Sequence, residues 1–195
     1  MKKRVLLLAH RQNGMGGTEK VVEKVLTNKF INKYIQFTIV VSKRELNDEN
    51  WFNNCKDKIY LSNNKLINVI NLFCLLCNFD GDVVLSLYKF DTFITFFARL
   101  LSRKKYLIYS WIHFRLKNNF KIKFLKFADK NLAISSGIKN ALIESGISRE
   151  KIELILIQSK EIILLMIIIY LMSILDFAIL AGYKCMDKKI CALCF

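Results

Sequence analysis

The residues best suited to chemistry in this sequence lie at the ends of apolar runs. Residues 3–20 read KRVLLLAHRQNGMGGTEK. The run Val5-Leu6-Leu7-Leu8-Ala9 has no polar alternation, which suits a strand covered on both faces, as in a parallel sheet. Residues 10–17 have no apolar period and hold Gly14, Gly16 and Gly17, three of the chain's seven glycines. Thr18 and Glu19 then open a helical pattern with Val21, Val22 and Val25 or Leu26 on one face. A strand feeding a glycine turn into a helix aims backbone N–H groups and the positive end of the helix dipole at one point, and that point suits a phosphate. GMGGTE is not the dinucleotide fingerprint G-x-G-x-x-G, and the G-K-S/T of a P-loop is absent. A tight strand–helix turn without a ligand therefore stays open as the plainer reading. Three further candidates sit at later strand ends: His113, and the pair Ser135 and Ser136. For His113 the alternative is a hydrogen-bonded core histidine beside Trp111. For the serines it is helix N-capping, and Glu19 is a candidate cap of its own helix.

These residues need a sheet to gather them, and the pattern predicts one. Strands are expected at 3–9, 36–42, 58–61, 82–87, 106–111, 130–135 and from 151. Helices are expected at 17–28, 65–77, 90–101, 116–127 (basic and amphipathic) and 136–145, the last stopped by Gly146. Residues 43–54 are polar and read as loop or a frayed helix. This alternation predicts an α/β fold, a doubly wound, Rossmann-like parallel sheet. In such sheets ligands bind beyond the carboxyl ends of the strands, so the 10–17 loop, His113, Ser135 and Ser136 are expected on one rim.

Composition narrows the partners. The chain has 195 residues, enough for one core plus an appendage, and 53% hydrophobic content excludes disorder. The net charge of +15 favours anionic partners such as phosphorylated substrates or an anionic membrane face. No helix-turn-helix or aromatic-rich basic motif argues for nucleic acid. Cys74 and Cys77 form a C-x-x-C, and Cys191 and Cys194 form another near the end; the first lies inside a helical apolar run. The first pair reads as buried core thiols rather than metal ligands, and no metal or cofactor is expected. The apolar stretch at 5–9 is shorter than the ~7–15 residues of a signal-peptide core, which predicts a cytoplasmic protein.

SWIHF (residues 110–114) and ADKNLAISSGIKNALIESGISREKIELI (128–155), with GMGGTEKVV near the start, resemble the N-terminal domain of family 4 glycosyltransferases of the GT-B fold. The likeness is to bacterial lipopolysaccharide core hexosyltransferases and covers residues 1–155. It implies retaining transfer of a hexose, galactose from UDP-galactose, to a lipopolysaccharide core sugar, without a metal. It implies that Gly16, Gly17 and Thr18 approach the donor phosphates and that His113 touches the donor sugar in the catalytic cleft. Ser135 and Ser136 fall at the next strand end as donor- or acceptor-binding candidates. It also implies a second domain that holds the nucleotide, and work at the cytoplasmic side of the inner membrane.

At residue 156 the pattern breaks. Residues 162–183 carry one charge, Asp176, and exceed the ~20 residues that span a bilayer. At face value this apolar helical tail predicts a tail-anchored protein with a basic cytoplasmic domain. The resemblance predicts Asn-Pro-Val here instead. Residues 157–160 can be encoded AUC CAG UCA AAA. One base out of step, with an A from codon 156, this reads Asn-Pro-Val-Lys. Residues 174–182 and 187–190 likewise permit the Ile-Gly-Arg and Gly-Gln-Lys that the family carries next. Residues 156–195 are thus expected to be out-of-frame translation, leaving a glycosyltransferase chain that is truncated and inactive. A dinucleotide-dependent oxidoreductase ranks last. It needs an acid after the second strand, where the chain has Ser42-Lys43-Arg44.

Overall fold

The computed structural model describes residues 2–113 and 120–155. Seven strands, β1 (Lys3–Leu8), β2 (Ile35–Ser42), β3 (Asp57–Leu61), β4 (Val83–Ser86), β5 (Leu107–Ile112), β6 (Lys130–Ala133) and β7 (Ile152–Leu154), form one sheet in the order β3-β2-β1-β4-β5-β6-β7. Every pairing is parallel. The interior strand β1 sets Leu6 opposite Thr38 on one side and Val84 on the other. Chain order reverses between β1 and β4, which makes that gap the topological switch point.

The helices α1 (Gly17–Thr27), α2 (Lys29–Tyr34), α3 (Lys65–Asn78), α4 (Lys89–Ser102) and α5 (Ser136–Glu144) complete the crossovers. The sheet divides the core. Val5 and Leu7 point to a cluster with Val22, Leu26, Ile39 and Phe52, while Leu6 and Leu8 point to another with Val40, Leu72, Leu76 and Ala98. This two-sided burial is why β1 reads as an unbroken apolar run. A third cluster joins Ile112, Ile122, Leu125 and Ala133 to Ile138 and Leu142 of α5.

Three sequence expectations change. The six-residue helix α2 lies where none was expected. Asn28 Oδ1 accepts from the N–H groups of Phe30 (2.9 Å) and Ile31 (3.2 Å), so the residue that ends α1 also starts α2. The helix expected at 116–127 is, over its described part Phe120–Phe127, a run of 3₁₀ turns. Its apolar pairs are three apart: Ile122 and Leu125 are buried in the third cluster, while Phe124 and Phe127 stack on Phe93 and Phe96 of α4 at 4.7 and 4.8 Å. Three-residue spacing suits a 3₁₀ period better than 3.6. Cys74, expected in the core, is exposed on α3, and Cys77 is half-buried with Sγ 3.8 Å from the Ala98 carbonyl. Cys191, Cys194 and the apolar stretch 162–183 lie outside the described residues. No helix among the described residues is long and apolar enough to cross a membrane.

Candidate functional site: the rim at the strand crossover

The loop after β1 is braced by its own side chains. Gly14 has φ +93°, and a Cβ there would lie 2.4 Å from the Asp48 carbonyl oxygen, so only glycine fits. The Asn13 carbonyl accepts from Asn47 and Asp48, tying this loop to the one after β2. Glu19, third residue of α1, is 3% exposed and turns back to accept from the Gly14 N–H at 3.3 Å. In the amide orientation that satisfies both ends, Gln12 donates to Glu19 Oε1 (2.8 Å) and accepts from the Tyr88 hydroxyl (3.2 Å). A glutamate at this position reaching back is close to a capping box, and its negative charge suits the helix N-terminus. Gly16 is the N-cap and contributes no side chain, so the first N–H groups of α1 keep no intrahelical acceptor.

Beside the loop, at the switch point, lies a pair that the sequence did not reveal. Asp91, in the first turn of α4, is fully buried, and its Oδ2 is 3.6 Å from His10 Nδ1. That distance would allow an ion pair but is too long for a hydrogen bond. Burial, with a smaller contribution from the Arg11 charge, lowers the His10 pKa to about 4. Burial raises Asp91 to about 7, against the pull of Arg11. Both shifts disfavour charge, so between those values the pair holds one proton on the carboxyl and is neutral. Arg11 stacks over the Tyr88 ring at 5.3 Å, and burial together with the neighbouring Asp91 pushes the Tyr88 hydroxyl well above its usual range.

A cavity of about 310 Å³ opens over this pair, between α3 and α4 and the ends of β1 and β2. Arg11, Arg44 and Lys65 line it, with Glu45 as the only acid besides Asp91. Ser42 Oγ and Asn68 Oδ1, both on its wall, are buried without a hydrogen-bond partner among the described residues.

The expected site residues all fall on the carboxyl rim, as the parallel order requires. Gly16, Gly17 and Thr18 follow β1, His113 follows β5, and Ser135 and Ser136 follow β6. Strands are about 4.8 Å apart, so β1 and β5 are separated by roughly 10 Å and β1 and β6 by roughly 14 Å. The rim is shared, but the sheet order spaces the three groups out. His113 packs its ring 4.4 Å from that of Trp111, and burial lowers its pKa to about 4. Its Nε2 is buried with no partner among the described residues. Ser135 Oγ accepts from the Ile138 N–H at 3.3 Å, which is the N-cap bond of α5. Ser136 is exposed at the first position of α5, and Thr18 is buried at 6%. No group of His, Cys, Asp and Glu among the described residues is arranged to hold a metal ion.

What the sequence missed is the cationic cavity. Asp91 was a visible signal, as the single acid in the apolar helix 90–101. His10 and Arg11 open the loop that carries the glycines.

No family model matches the chain. Among curated proteins it is similar to the lipopolysaccharide 1,6-galactosyltransferases of Escherichia coli K12, 26% identical over 159 residues, and of Salmonella typhimurium LT2, 27% identical over 161 residues. Each match covers 78% of this chain, and 44% and 45% of the relatives respectively. Among solved structures, the lipopolysaccharide outer core galactosyltransferase WaaB in its apo form matches with a TM-score of 0.66 and 25% identity, over 78% of this chain and 45% of that one. Anabaena HepE in complex with UDP-glucose shares the fold, with a TM-score of 0.56 and 16% identity over 79% of this chain and 43% of its own. The chain spans under half the length of the curated relatives it matches, and over that span it resembles lipopolysaccharide 1,6-galactosyltransferases in both sequence and sheet architecture.

Proposed function

We propose that residues 1–155 are the N-terminal, acceptor-side domain of a retaining hexosyltransferase that moves galactose from UDP-galactose to a lipopolysaccharide core sugar at the cytoplasmic face of the inner membrane. The observation that carries this reading is the crossover rim: a braced glycine loop, a cationic cavity and His113 share one edge of a sheet that resembles WaaB. Gly16, Gly17 and Thr18 offer free helix-terminal N–H groups to the donor phosphates. His113 is neutral at pH 7, so its role is a hydrogen bond from or to a sugar hydroxyl through Nε2, not a charge on the reacting centre. Ser135 serves α5 as its cap, which leaves the exposed Ser136 as the freer of the two for a ligand.

Transfer also needs positive charge fixed against the departing nucleoside diphosphate. The rim supplies cations at the acceptor side, and the resemblance assigns the diphosphate's cations to a second domain. Residues 1–155 alone should therefore bind acceptor and turn over no UDP-galactose. Isothermal titration of the purified chain with lipopolysaccharide core oligosaccharide, alongside a UDP-release assay, tests this. Oligosaccharide binding without turnover is the expected result. Tight UDP binding with no affinity for the oligosaccharide would remove the reading. We further propose that residues 156–195 are out-of-frame translation. The codons for 154–190 test that directly, since a displaced frame lacking Asn-Pro-Val and Gly-Gln-Lys ends the idea.

A further inference from the structure

We propose that the cavity between α3 and α4 binds the phosphoryl group of a phosphorylated sugar. Three cations line it. Arg44 is partly answered by Glu45, whose Oε1 lies 3.8 Å from Arg44 Nε. Arg11 and Lys65 have no carboxylate within 4.0 Å among the described residues. Arg11 is held instead by the Tyr88 ring beneath its guanidinium and by a 3.4 Å contact of Nε with His10 Nε2. Its two terminal nitrogens are thus oriented by the protein and left without an anion. A planar guanidinium presented in this way favours two-point binding of a phosphate.

The wall supplies the neutral half of the recognition. Ser42 is 2% exposed and its hydroxyl has no partner, although it lies beside the cations. A hydroxyl can donate to a phosphate oxygen. Asn68 Oδ1 is an unpartnered acceptor on the opposite wall, suited to a sugar hydroxyl and not to the phosphate itself. Leaving such groups unpaired in a buried wall costs about 1–3 kcal/mol each, so a site that fills them is favoured. Asp91 lies at the floor, completely enclosed beside His10, and without a partner for either oxygen. Between pH values of about 4 and 7 the two groups together hold one proton and add no net charge to the cavity. An excess of cations over acids excludes a cationic ligand, and Val69, Leu72 and Ile94 add an apolar part to the lining that suits the carbon face of a sugar ring.

The binding of a phosphoryl group stands on these residues alone. That the group is carried by the glycosyl acceptor rests on the function proposed above. The test uses the full chain with uniform ¹⁵N labelling. Arginine Nε–Hε resonances are followed by NMR while inorganic phosphate is added, then phosphorylated core oligosaccharide, then the same oligosaccharide after phosphatase treatment. Phosphate should shift the Arg11 resonance. The substitutions Arg11→Gln and Lys65→Gln should each weaken binding about tenfold, the loss of one charge-assisted contact. Lys24→Gln, on α1, should change nothing. Circular dichroism checks that each variant is folded. The phosphorylated oligosaccharide should bind at least about tenfold more tightly than the treated one. No shift with phosphate overturns the phosphoryl site. Equal, measurable affinity of both oligosaccharides overturns the carriage of the group by the acceptor and leaves the acceptor reading standing. Phosphate binding with affinity for neither oligosaccharide leaves the anion site standing and overturns the acceptor reading.

Discussion

A methyl group on Gly17 would meet no heavy atom within 4 Å, whereas one on Gly16 would lie 2.5 Å from Glu19 Oε2. Local packing thus explains the glycine at 16 and leaves the one at 17 without a structural reason. Gly17→Ala should be neutral or stabilise the fold by up to about 1 kcal/mol, since alanine loses less freedom than glycine on entering a helix. If the donor phosphates approach there, the same variant should weaken UDP-sugar binding in a chain that carries both domains, while thermal melting shows no loss. Glu19→Ala should cost about 1–3 kcal/mol by urea unfolding, because the Gly14 N–H and the Gln12 amide lose their acceptor in a buried place. Asp91 gives a pH signature. Its folded pKa, about 7, lies above the unfolded 3.8, so the folded state keeps a proton that the unfolded state has lost, and this contribution to stability falls as pH rises from about 4 to 7. His10 and His113 act in the opposite sense, losing stability as pH falls from 6.5 towards 4. Asp91→Asn should therefore be more stable than the parent near pH 8, on the order of 2 kcal/mol, with the gap closing towards pH 4 in denaturant titrations at a series of pH values.

The regular crossovers were legible because each carries its own punctuation. Gly146 has φ +76° and its N–H returns to the Ile143 carbonyl at 2.8 Å, which stops α5 where the sequence said it would. Ser135 starts the same helix. Ser135→Ala should cost about 1 kcal/mol of stability in thermal unfolding, and should leave oligosaccharide affinity unchanged if capping is its main task. The missed helix α2 is started locally by Asn28, whereas the element assigned the wrong period depends on neighbours far along the chain. The 3₁₀ run at Phe120–Phe127 takes its shape from phenylalanines of α4, a partnership that no local window contains. The same holds for the site. Glycines and a histidine after strands are visible in one dimension. The cationic cavity is assembled from the ends of β1 and β2 and two helices, so Arg44 and Lys65 signal nothing until the sheet order is known.

Across the whole molecule, the pairing of the described strands ends at Ile155, whose N–H donates to the Ala133 carbonyl at 2.7 Å. A chain ending at residue 155 should therefore keep the full-length chain's far-ultraviolet circular dichroism and its cooperative unfolding. Loss of either on removing 156–195 would show that the domain boundary is misplaced. Finally, β1 turns Val5 and Leu7 to one side and Leu6 and Leu8 to the other, so the two apolar clusters are partitioned by a wall one strand thick. The glycine turn belongs with the helix on one side of that wall, and the arginine-lined hollow with the helices on the other. Arg11 joins the two: it belongs to the turn's own loop, lines the hollow and rests on Tyr88, whose hydroxyl reaches Gln12 and through it Glu19, so refitting the hollow to a new sugar is felt in the packing of the turn.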